Sequence, residues 1–278
     1  MPRTVRLALL TAFALVSLAS RPAAAAVRLD PLQNDSGRYQ VYFRDRLLGT
    51  ETFAFRPTRD SVVITSEVAQ NLPGPDGDEA LEKNVSMVLK AIDYGLLGYV
   101  STQKFLGKEL LRAITVYDTT FTAYREVYPE GNAETFARPP GRLFVIDSQV
   151  FALFDVMLRS LHGKLSGERP MAVVVLGERD TTLEIMIRPG ADETIQLGGA
   201  PRSARRVTLS DGMSEFVIWI SPRGSMLRLT QPATGLRVDR DLPAPKRSTG
   251  AAPARAGPSK PAPPAKPGHP AEPGPSGR

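Results

Sequence analysis

Short runs of alternating apolar and polar residues constrain the fold of this chain more than any other feature of its sequence. Tyr39, Val41 and Phe43 alternate with polar residues, and residues 47–55 repeat the pattern after a short turn at Asp45. A period of two residues places apolar side chains on one face of a β-strand. The two runs therefore predict a β-hairpin.

Similar runs continue along most of residues 62–240. Ala172–Leu176 is continuously apolar, which is typical of a strand buried on both faces. Residues 71–78 are rich in Pro, Gly and Asp and predict a loop. The whole pattern predicts a mainly β fold, an antiparallel barrel or half-barrel of about twelve strands.

One segment changes to a helical period. Its apolar residues recur every three or four positions, which predicts one amphipathic helix over about residues 147–161, packed on the sheet or plugging it. Asp147 or Ser148 can accept hydrogen bonds from the first backbone N–H groups of this helix. Asp155 and Arg159 are expected to form an i,i+4 pair on its polar face.

The N-terminus has the features of an export signal. Two arginines precede the apolar run Leu7–Ala19, and Ala23–Ala26 supplies small residues suited to cleavage. This predicts a signal peptide over residues 1–26, cleaved after about Ala26, and a periplasmic or secreted protein. No later apolar run reaches the length of a membrane span, so no integral membrane segment is expected in the mature chain.

The C-terminus differs from the middle of the chain in composition. Residues 241–278 consist mostly of Pro, Ala, Gly, Ser and Lys and have no large apolar residue beyond Leu242. Such a segment buries too little surface to offset its ordering entropy, so we expect a disordered tail. Residues 27–240 are left as one β-rich domain. The basic tail is either a tolerated extension or a spacer that contacts a cell-envelope component.

Charge and cysteine content exclude several classes of function. The net charge is +6, but the basic excess lies in the two ends of the chain, so the domain itself is close to neutral and nucleic acid is not an expected partner. The chain has no cysteine, which excludes disulfides, a thiolate nucleophile, thiolate metal sites and a lipid-anchored cysteine.

The sequence contains few of the residues and motifs that are typical of catalytic sites. The predicted domain contains one histidine, His162, and no G-x-S-x-G elbow, so neither a Ser-His-Asp set nor a histidine metal site is expected. Asp147 lies where the pattern changes from strand to helix, and a helix cap is the preferred interpretation of this acid. We assign no catalytic residue, metal or cofactor and expect a protein that is not an enzyme. Two facing acids in a cleft would instead favour a carboxylate-dependent hydrolase acting on envelope glycan.

Aromatic residues concentrated in the first hairpin are the candidates for ligand binding. They either line an apolar cavity or form ordinary sheet core. The single tryptophan, Trp219, lies either on a second buried face or at the edge of a cleft. The candidate residues are Tyr39, Tyr42, Phe43, Phe53, Phe55 and Trp219.

Two segments carry a resemblance to a known group of proteins. RYQVYFRDRLLGTETFAF (residues 38–55) resembles the opening hairpin of uncharacterised exported bacterial β-rich proteins, and residues 205–240, with Trp219 and a Pro-Arg-Gly turn, resemble their closing strands. The two segments cover about a fifth of the chain. The resemblance implies a curved antiparallel sheet related in shape to periplasmic lipid and lipoprotein carriers, and it transfers no site residues.

These features together lead to one expected function and two alternatives. We expect a non-catalytic periplasmic or secreted protein that binds an apolar or amphipathic ligand, such as a lipid, or an envelope component. The alternatives are the glycan hydrolase and a structural or partner-binding envelope module that uses an exposed sheet edge.

Overall fold

The structure is a computed structural model that describes residues 33–74, 77–161 and 164–242. The predicted signal peptide, His162 and residues 243–278 of the predicted tail lie outside the described residues. The division into signal peptide, domain and tail therefore stays a prediction.

Within the described residues the chain forms fifteen strands and one helix. The strands are β1 (Asp35–Phe43), β2 (Arg46–Pro57), β3 (Ser61–Gly74), β4 (Gly77–Lys90), β5 (Leu96–Phe105), β6 (Lys108–Val116), β7 (Thr120–Val127), β8 (Glu130–Ala137), β9 (Phe144–Asp147), β10 (Arg169–Leu176), β11 (Thr181–Leu197), β12 (Ala200–Ser210), β13 (Glu215–Ile220), β14 (Met226–Gln231) and β15 (Leu236–Arg240). The helix, α1 (Ala152–Leu161), connects β9 to β10.

All fifteen strands belong to one sheet, in the order β8-β7-β6-β5-β4-β3-β2-β1-β15-β14-β13-β12-β11-β10-β9. Every neighbouring pair is antiparallel except β9 and β10, which are parallel because α1 carries the chain back across the sheet. The first and last strands pair in the middle, with Tyr39 opposite Arg240 and Val41 opposite Val238. The predicted fold class, a mainly antiparallel barrel or half-barrel with one helix, is confirmed.

The sheet curves but its two edges are not joined by backbone pairing. β8 and β9 end the strand order, and within the described ranges no ladder connects them. Side chains bring the two ends together instead. Arg112 Nη1 on β6 donates to Asp180 Oδ1 at 2.6 Å, and Arg125 Nη1 on β7 donates to the Glu178 carbonyl at 2.5 Å. The architecture is therefore a half-barrel closed by side-chain contacts.

The helix fills the space inside the curved sheet. Nine of its ten residues are buried, including Asp155 and Ser160. Apolar residues from both halves of the sheet join the helix in one core cluster, which includes Phe55 on β2, Met87 on β4 and Leu229 on β14. The helix was expected either to pack on the sheet or to plug it, and in the structure it plugs the sheet.

The helix starts later than its periodicity predicts. Asp147 is the last residue of β9, and Gln149 has a left-handed backbone, with φ of 66°. A residue in that conformation interrupts a right-handed helix, so α1 begins only at Ala152. The prediction that the helix begins at residue 147 was wrong, because Asp147 ends β9 and residues 148–151 connect this strand to α1.

The structure differs from the sequence-based predictions in three other places. Two strands, β8 and β9, were not predicted: β8 is exposed along most of its length, and β9 has only four residues. The predicted loop at residues 71–78 is mostly strand, because β3 extends to Gly74 and β4 begins at Gly77.

Candidate functional site

A buried carboxylate from the sheet holds the start of α1. Glu51 on β2 accepts hydrogen bonds from the backbone N–H groups of Phe151 (2.7 Å) and Ala152 (3.0 Å). The Ser66 hydroxyl also donates to Glu51, at 2.6 Å. Glu51 therefore caps the helix, and the prediction that Asp147 or Ser148 supplies the cap was wrong. A negative group at this position also interacts favourably with the helix dipole.

The environment of Glu51 also changes its ionisation. Burial raises the pKa of Glu51 to about 7, although the hydrogen bonds from Ser66 and from the backbone of residues 151 and 152 act to lower it. The charge of Asp155 adds to the increase. The carboxyl group that caps the helix therefore titrates near neutral pH.

A second group of buried charges fixes the middle of α1. Arg159 Nε donates to Asp155 Oδ1 at 2.8 Å, so the predicted i,i+4 pair is present, but it is buried rather than on a polar face. Asp155 also accepts from the Tyr39 hydroxyl (2.7 Å) and from the Met226 backbone N–H (2.8 Å). One carboxylate thus connects the helix to β1 and β14.

The same group extends to the start of β1. Arg159 and Arg240 both donate to Asp35, and the bonds from Arg240 Nη2 measure 2.9 and 2.8 Å. Burial acts to raise the pKa of Asp35, but the hydrogen bonds and charges of the two arginines outweigh it, and the pKa lies below its usual value. The arginines also lie over the rings of Phe55 and Phe53, at 4.7 and 5.1 Å.

A third buried polar group surrounds Asp147. Lys83 Nζ on β4 donates to Asp147 Oδ1 at 2.6 Å, and the hydroxyls of Tyr99 and Ser101 on β5 donate to Asp147 Oδ2 at 2.5 and 3.2 Å. Burial lowers the pKa of Lys83, while Asp147 acts in the opposite direction. Both oxygens of Asp147 accept hydrogen bonds from protein groups, and only about 1% of the Lys83 and Asp147 side chains is exposed. Asp147 is therefore not accessible to a substrate. Its contacts attach β9 to the opposite wall of the half-barrel.

An apolar cleft of about 170 Å³ lies between the first half of α1 and strands β9–β13. Its floor consists of buried Phe154, Ile185 and Leu209. Its rim is half-buried or exposed and is formed by Ile146, Val175, Leu183 and Phe216. The Phe154 and Phe216 rings meet at a centroid distance of 5.3 Å. We call this feature the apolar cleft.

A tight turn borders the apolar cleft and carries an exposed methionine. Asp211 Oδ1 accepts hydrogen bonds from the backbone N–H groups of Met213 (2.9 Å) and Ser214 (2.6 Å). Asp211 and Ser214 also line the cleft, while Met213 is 97% exposed. Methionine side chains are flexible and adapt to apolar partners, so this turn adds accessible apolar surface beside the opening.

The structure brings three of the six predicted ligand residues together and separates the others. Tyr39, Phe53 and Phe55 are buried side by side, with Tyr39 and Phe53 stacked at 4.7 Å. The other three are partly accessible. Tyr42 lies under the Arg237 guanidinium, Phe43 beside Arg44, and Trp219 packs on a separate small cluster where its indole N–H donates to Glu193.

Sequence reasoning missed the rim of the apolar cleft as a site. In the sequence, Leu183 and Ile185 alternate with polar residues as in a strand, and Phe154 belongs to the apolar face of the helix. Nothing in the local pattern indicates that these strands and the helix leave a gap between them. Glu51 and Lys83 occupy inward positions of alternating strands, and this pattern is a sequence signal for buried charges.

The described residues contain no group of three or more His, Asp or Glu side chains arranged to hold a metal ion. In the same part of the chain, no helix has both the length and the apolar character needed to cross a bilayer.

No family model matches the chain, and no curated protein sequence matches it. A solved structure does. The chain is similar in fold to a β-barrel-like protein from Brucella abortus, a domain of unknown function designated DUF1849, with a TM-score of 0.55 and 10% sequence identity. The match covers 77% of this chain and 97% of the Brucella chain.

This similarity concerns the fold alone. The predicted resemblance to uncharacterised β-rich proteins is confirmed at that level. Export and the relation to lipid and lipoprotein carriers stay predictions.

Proposed function

We propose that this protein is an exported, non-catalytic binding protein that receives the apolar part of a ligand in the apolar cleft. The observation that carries the proposal is the cleft itself, which has a buried apolar floor and an accessible apolar rim. Export is supported by the signal features of residues 1–26, and the periplasm or the exterior is the proposed location.

The size of the cleft limits what it can hold. Its volume of about 170 Å³ is close to that of apolar protein cavities of about 150 Å³, which bind benzene. Pockets for whole drug-sized ligands measure about 300–1,000 Å³. The cleft therefore fits one ring or a short stretch of acyl chain, and the remainder of a larger ligand would lie outside it, against Met213 and Leu183.

The buried acids support a binding role over hydrolysis. Glu51, Asp147 and Asp155 are each buried and each accept several hydrogen bonds from the protein. A glycosidase needs two acids that face a substrate across an open cleft. These three carboxylates connect the helix to the sheet, and none of them lines the apolar cleft.

The aromatic residues predicted from the sequence remain a secondary proposal. Tyr42 and Phe43 are the members of the first hairpin that are partly accessible to a ligand. Trp219, on a different part of the sheet, offers a further half-buried aromatic surface. An envelope component bound by the basic tail is likewise part of this proposal.

Binding of benzene, followed by NMR of the side-chain methyl groups, tests the cleft directly. We expect chemical-shift changes at Leu183, Ile185 and Leu209 in the wild type. The substitution Val175→Phe fills the cleft from its half-buried rim and should abolish these changes. Val100→Phe places the same bulk on an exposed strand position outside the cleft and should leave them intact.

Native mass spectrometry of protein purified from the exporting host tests whether a natural ligand is present. We expect an added mass in the wild type that is lost in Val175→Phe and retained in Val100→Phe. A protein that carries no added mass and shows no benzene response would refute the proposal.

A further inference from the structure

A second groove, with a volume of about 520 Å³, lies at the opposite end of α1 from the apolar cleft. It runs beside Leu161, the last residue of the helix, and along the part of β10 that precedes its pairing with β9. Three half-buried cationic side chains line it: Arg142, Lys164 and Arg169. We call it the basic groove.

These cations have few partners in the protein. Arg142 Nη1 donates to the Ser160 carbonyl at 2.8 Å, and Arg169 Nη1 donates to the Lys164 carbonyl at 3.3 Å. None of the ion pairs formed among the described residues uses Arg142, Lys164 or Arg169. An arginine has five N–H donors, and these bonds use one donor of each arginine. The Arg142 guanidinium also lies over the Tyr94 ring, 5.8 Å from its centroid.

Stabilisation of the C-terminus of α1 explains only part of the positive charge in the basic groove. A cation near the last carbonyls of a helix interacts favourably with the helix dipole, and Arg142 does so through Ser160. Burial lowers the pKa of Arg142, and the nearby positive charge of Arg169 lowers it further, against the attraction of Asp93. The groove therefore holds like charges close together, and an anion bound between them would relieve their repulsion.

The remaining lining is mainly apolar. Phe144, Leu161 and Met171 form the buried floor, and three prolines, Pro139, Pro140 and Pro170, stand at the rim. One carboxylate, the exposed Glu184, also belongs to the lining. The lining therefore carries three positive charges and one negative charge, with apolar surface directly beside them. Asp93 lies outside the lining, and its charge acts on Arg142.

We propose that the basic groove binds an anionic amphiphile. Its acidic headgroup, a phosphate or a carboxylate, lies among Arg142, Lys164 and Arg169, and the first carbons of its apolar chain lie against the prolines and Phe144. The volume of the groove falls within the range of about 300–1,000 Å³ that is typical of small-molecule sites. This site is separate from the apolar cleft and does not depend on the function proposed for the cleft.

Calorimetric titration of the purified protein with three probes tests the proposal: monomeric dodecyl phosphate, inorganic phosphate and uncharged dodecyl maltoside. We expect dodecyl phosphate to bind most tightly and to lose affinity as salt is raised. Lys164→Gln and Arg169→Gln should each weaken its binding about tenfold, because each removes a charge-assisted contact. Arg223→Gln, an equal change of charge at an exposed turn outside the groove, should leave the affinity unchanged.

Other results would overturn the proposal in distinguishable ways. Equal affinity for inorganic phosphate would show an anion site without recognition of the apolar chain. Equal affinity for dodecyl maltoside would show that the charge is not recognised. Loss of dodecyl phosphate binding in Val175→Phe would place the probe in the apolar cleft instead, whereas retained binding in that variant supports the basic groove even if the cleft binds nothing.

Discussion

At the scale of single residues, Glu51 carries the most consequential chemistry of the described chain. It is a fully buried acid whose two oxygens accept three hydrogen bonds, two of them from the start of α1. Its pKa of about 7 lies above the value of 4.5 for an unperturbed glutamate, so the folded protein binds this proton more tightly than the unfolded chain does.

This shift predicts a pH dependence of stability with a definite sign. Between pH 4.5 and about 7 the folded state holds more protons at Glu51 than the unfolded state does, so the free energy of unfolding falls as the pH rises through this window. The contribution of Glu51 to this fall is about 3 kcal/mol, at about 1.4 kcal/mol per pKa unit. Urea unfolding at several pH values measures it.

Two variants distinguish the contribution of Glu51 to this pH dependence from the contributions of the other titrating groups. In Glu51→Gln the contribution of Glu51 to the fall should disappear, so that the difference in the free energy of unfolding between wild type and variant changes by about 3 kcal/mol across the window. Glu67→Gln, at an exposed position on β3, should keep the wild-type slope. Parallel curves for wild type and Glu51→Gln would contradict the assignment.

The position of Glu51 could be predicted from the sequence, but its role could not. Alternation places Glu51 on the same face of its strand as Phe53 and Phe55, and hence toward the core. Its partners, Phe151 and Ala152, are 100 or more residues away in the chain, so no local pattern connects them to it. For the same reason Asp147, which is close in sequence to the helix, was the wrong choice of cap.

At the scale of the secondary-structure elements, α1 is held by polar contacts as well as by apolar packing. Asp155 receives hydrogen bonds from Tyr39 on β1, from Met226 on β14 and from Arg159 on the helix itself. The helix has ten residues, and helices of this length are marginal in isolation, so its stability depends on these tertiary contacts.

We therefore expect Asp155→Asn to loosen the helix. The substitution removes the carboxylate that balances Arg159 and should lower the free energy of unfolding by about 3 kcal/mol. Hydrogen exchange of the Met226 amide should become faster as well. Asp192→Asn, at an exposed position on β11, should change neither quantity appreciably. Unchanged exchange at Met226 in Asp155→Asn would show that this bond does not hold the helix.

The elements that the sequence predicts well are those with one buried face. Alternation marks the strands from β1 to β7 and from β11 to β15, because each packs one side against the core. It misses β8, which is exposed on both sides and therefore lacks the apolar half of the pattern. It also misses β9, whose four residues, mostly buried, are too few to show a period.

At the scale of the whole molecule, side chains substitute for backbone pairing where the sheet stays open. Asp147 at the end of β9 reaches Lys83, Tyr99 and Ser101 on the opposite wall, and Arg112 reaches Asp180 near the β10–β11 turn. The apolar cleft and the basic groove both lie along β9–β11, which these contacts hold in place.

This arrangement predicts that Lys83→Met releases the β9–β10 end of the sheet. The unpaired Asp147 carboxylate should lower the free energy of unfolding by about 3–5 kcal/mol and speed hydrogen exchange at Val145 and Val174. The double variant Lys83→Met, Asp147→Asn should lose less than the sum of the two single changes. The same substitution at exposed Lys104, which pairs with Glu109 at the surface, is expected to have little effect. Additive losses would argue against the pairing.

The pairing of β1 with β15 also bears on how the chain reaches its folded state. Strands β1 to β8 can form a meander by local contacts, but β1 obtains its second partner only when residues 236–240 arrive. Joining the two halves of the sheet thus needs contacts between residues about 200 positions apart, and such non-local contacts slow folding. If the chain becomes available for folding from its N-terminus onward, it can complete its core only after nearly all of the described residues are available. An unfinished copy would present the free edge of β1 to other chains, so we expect fragments that end before β15 to aggregate.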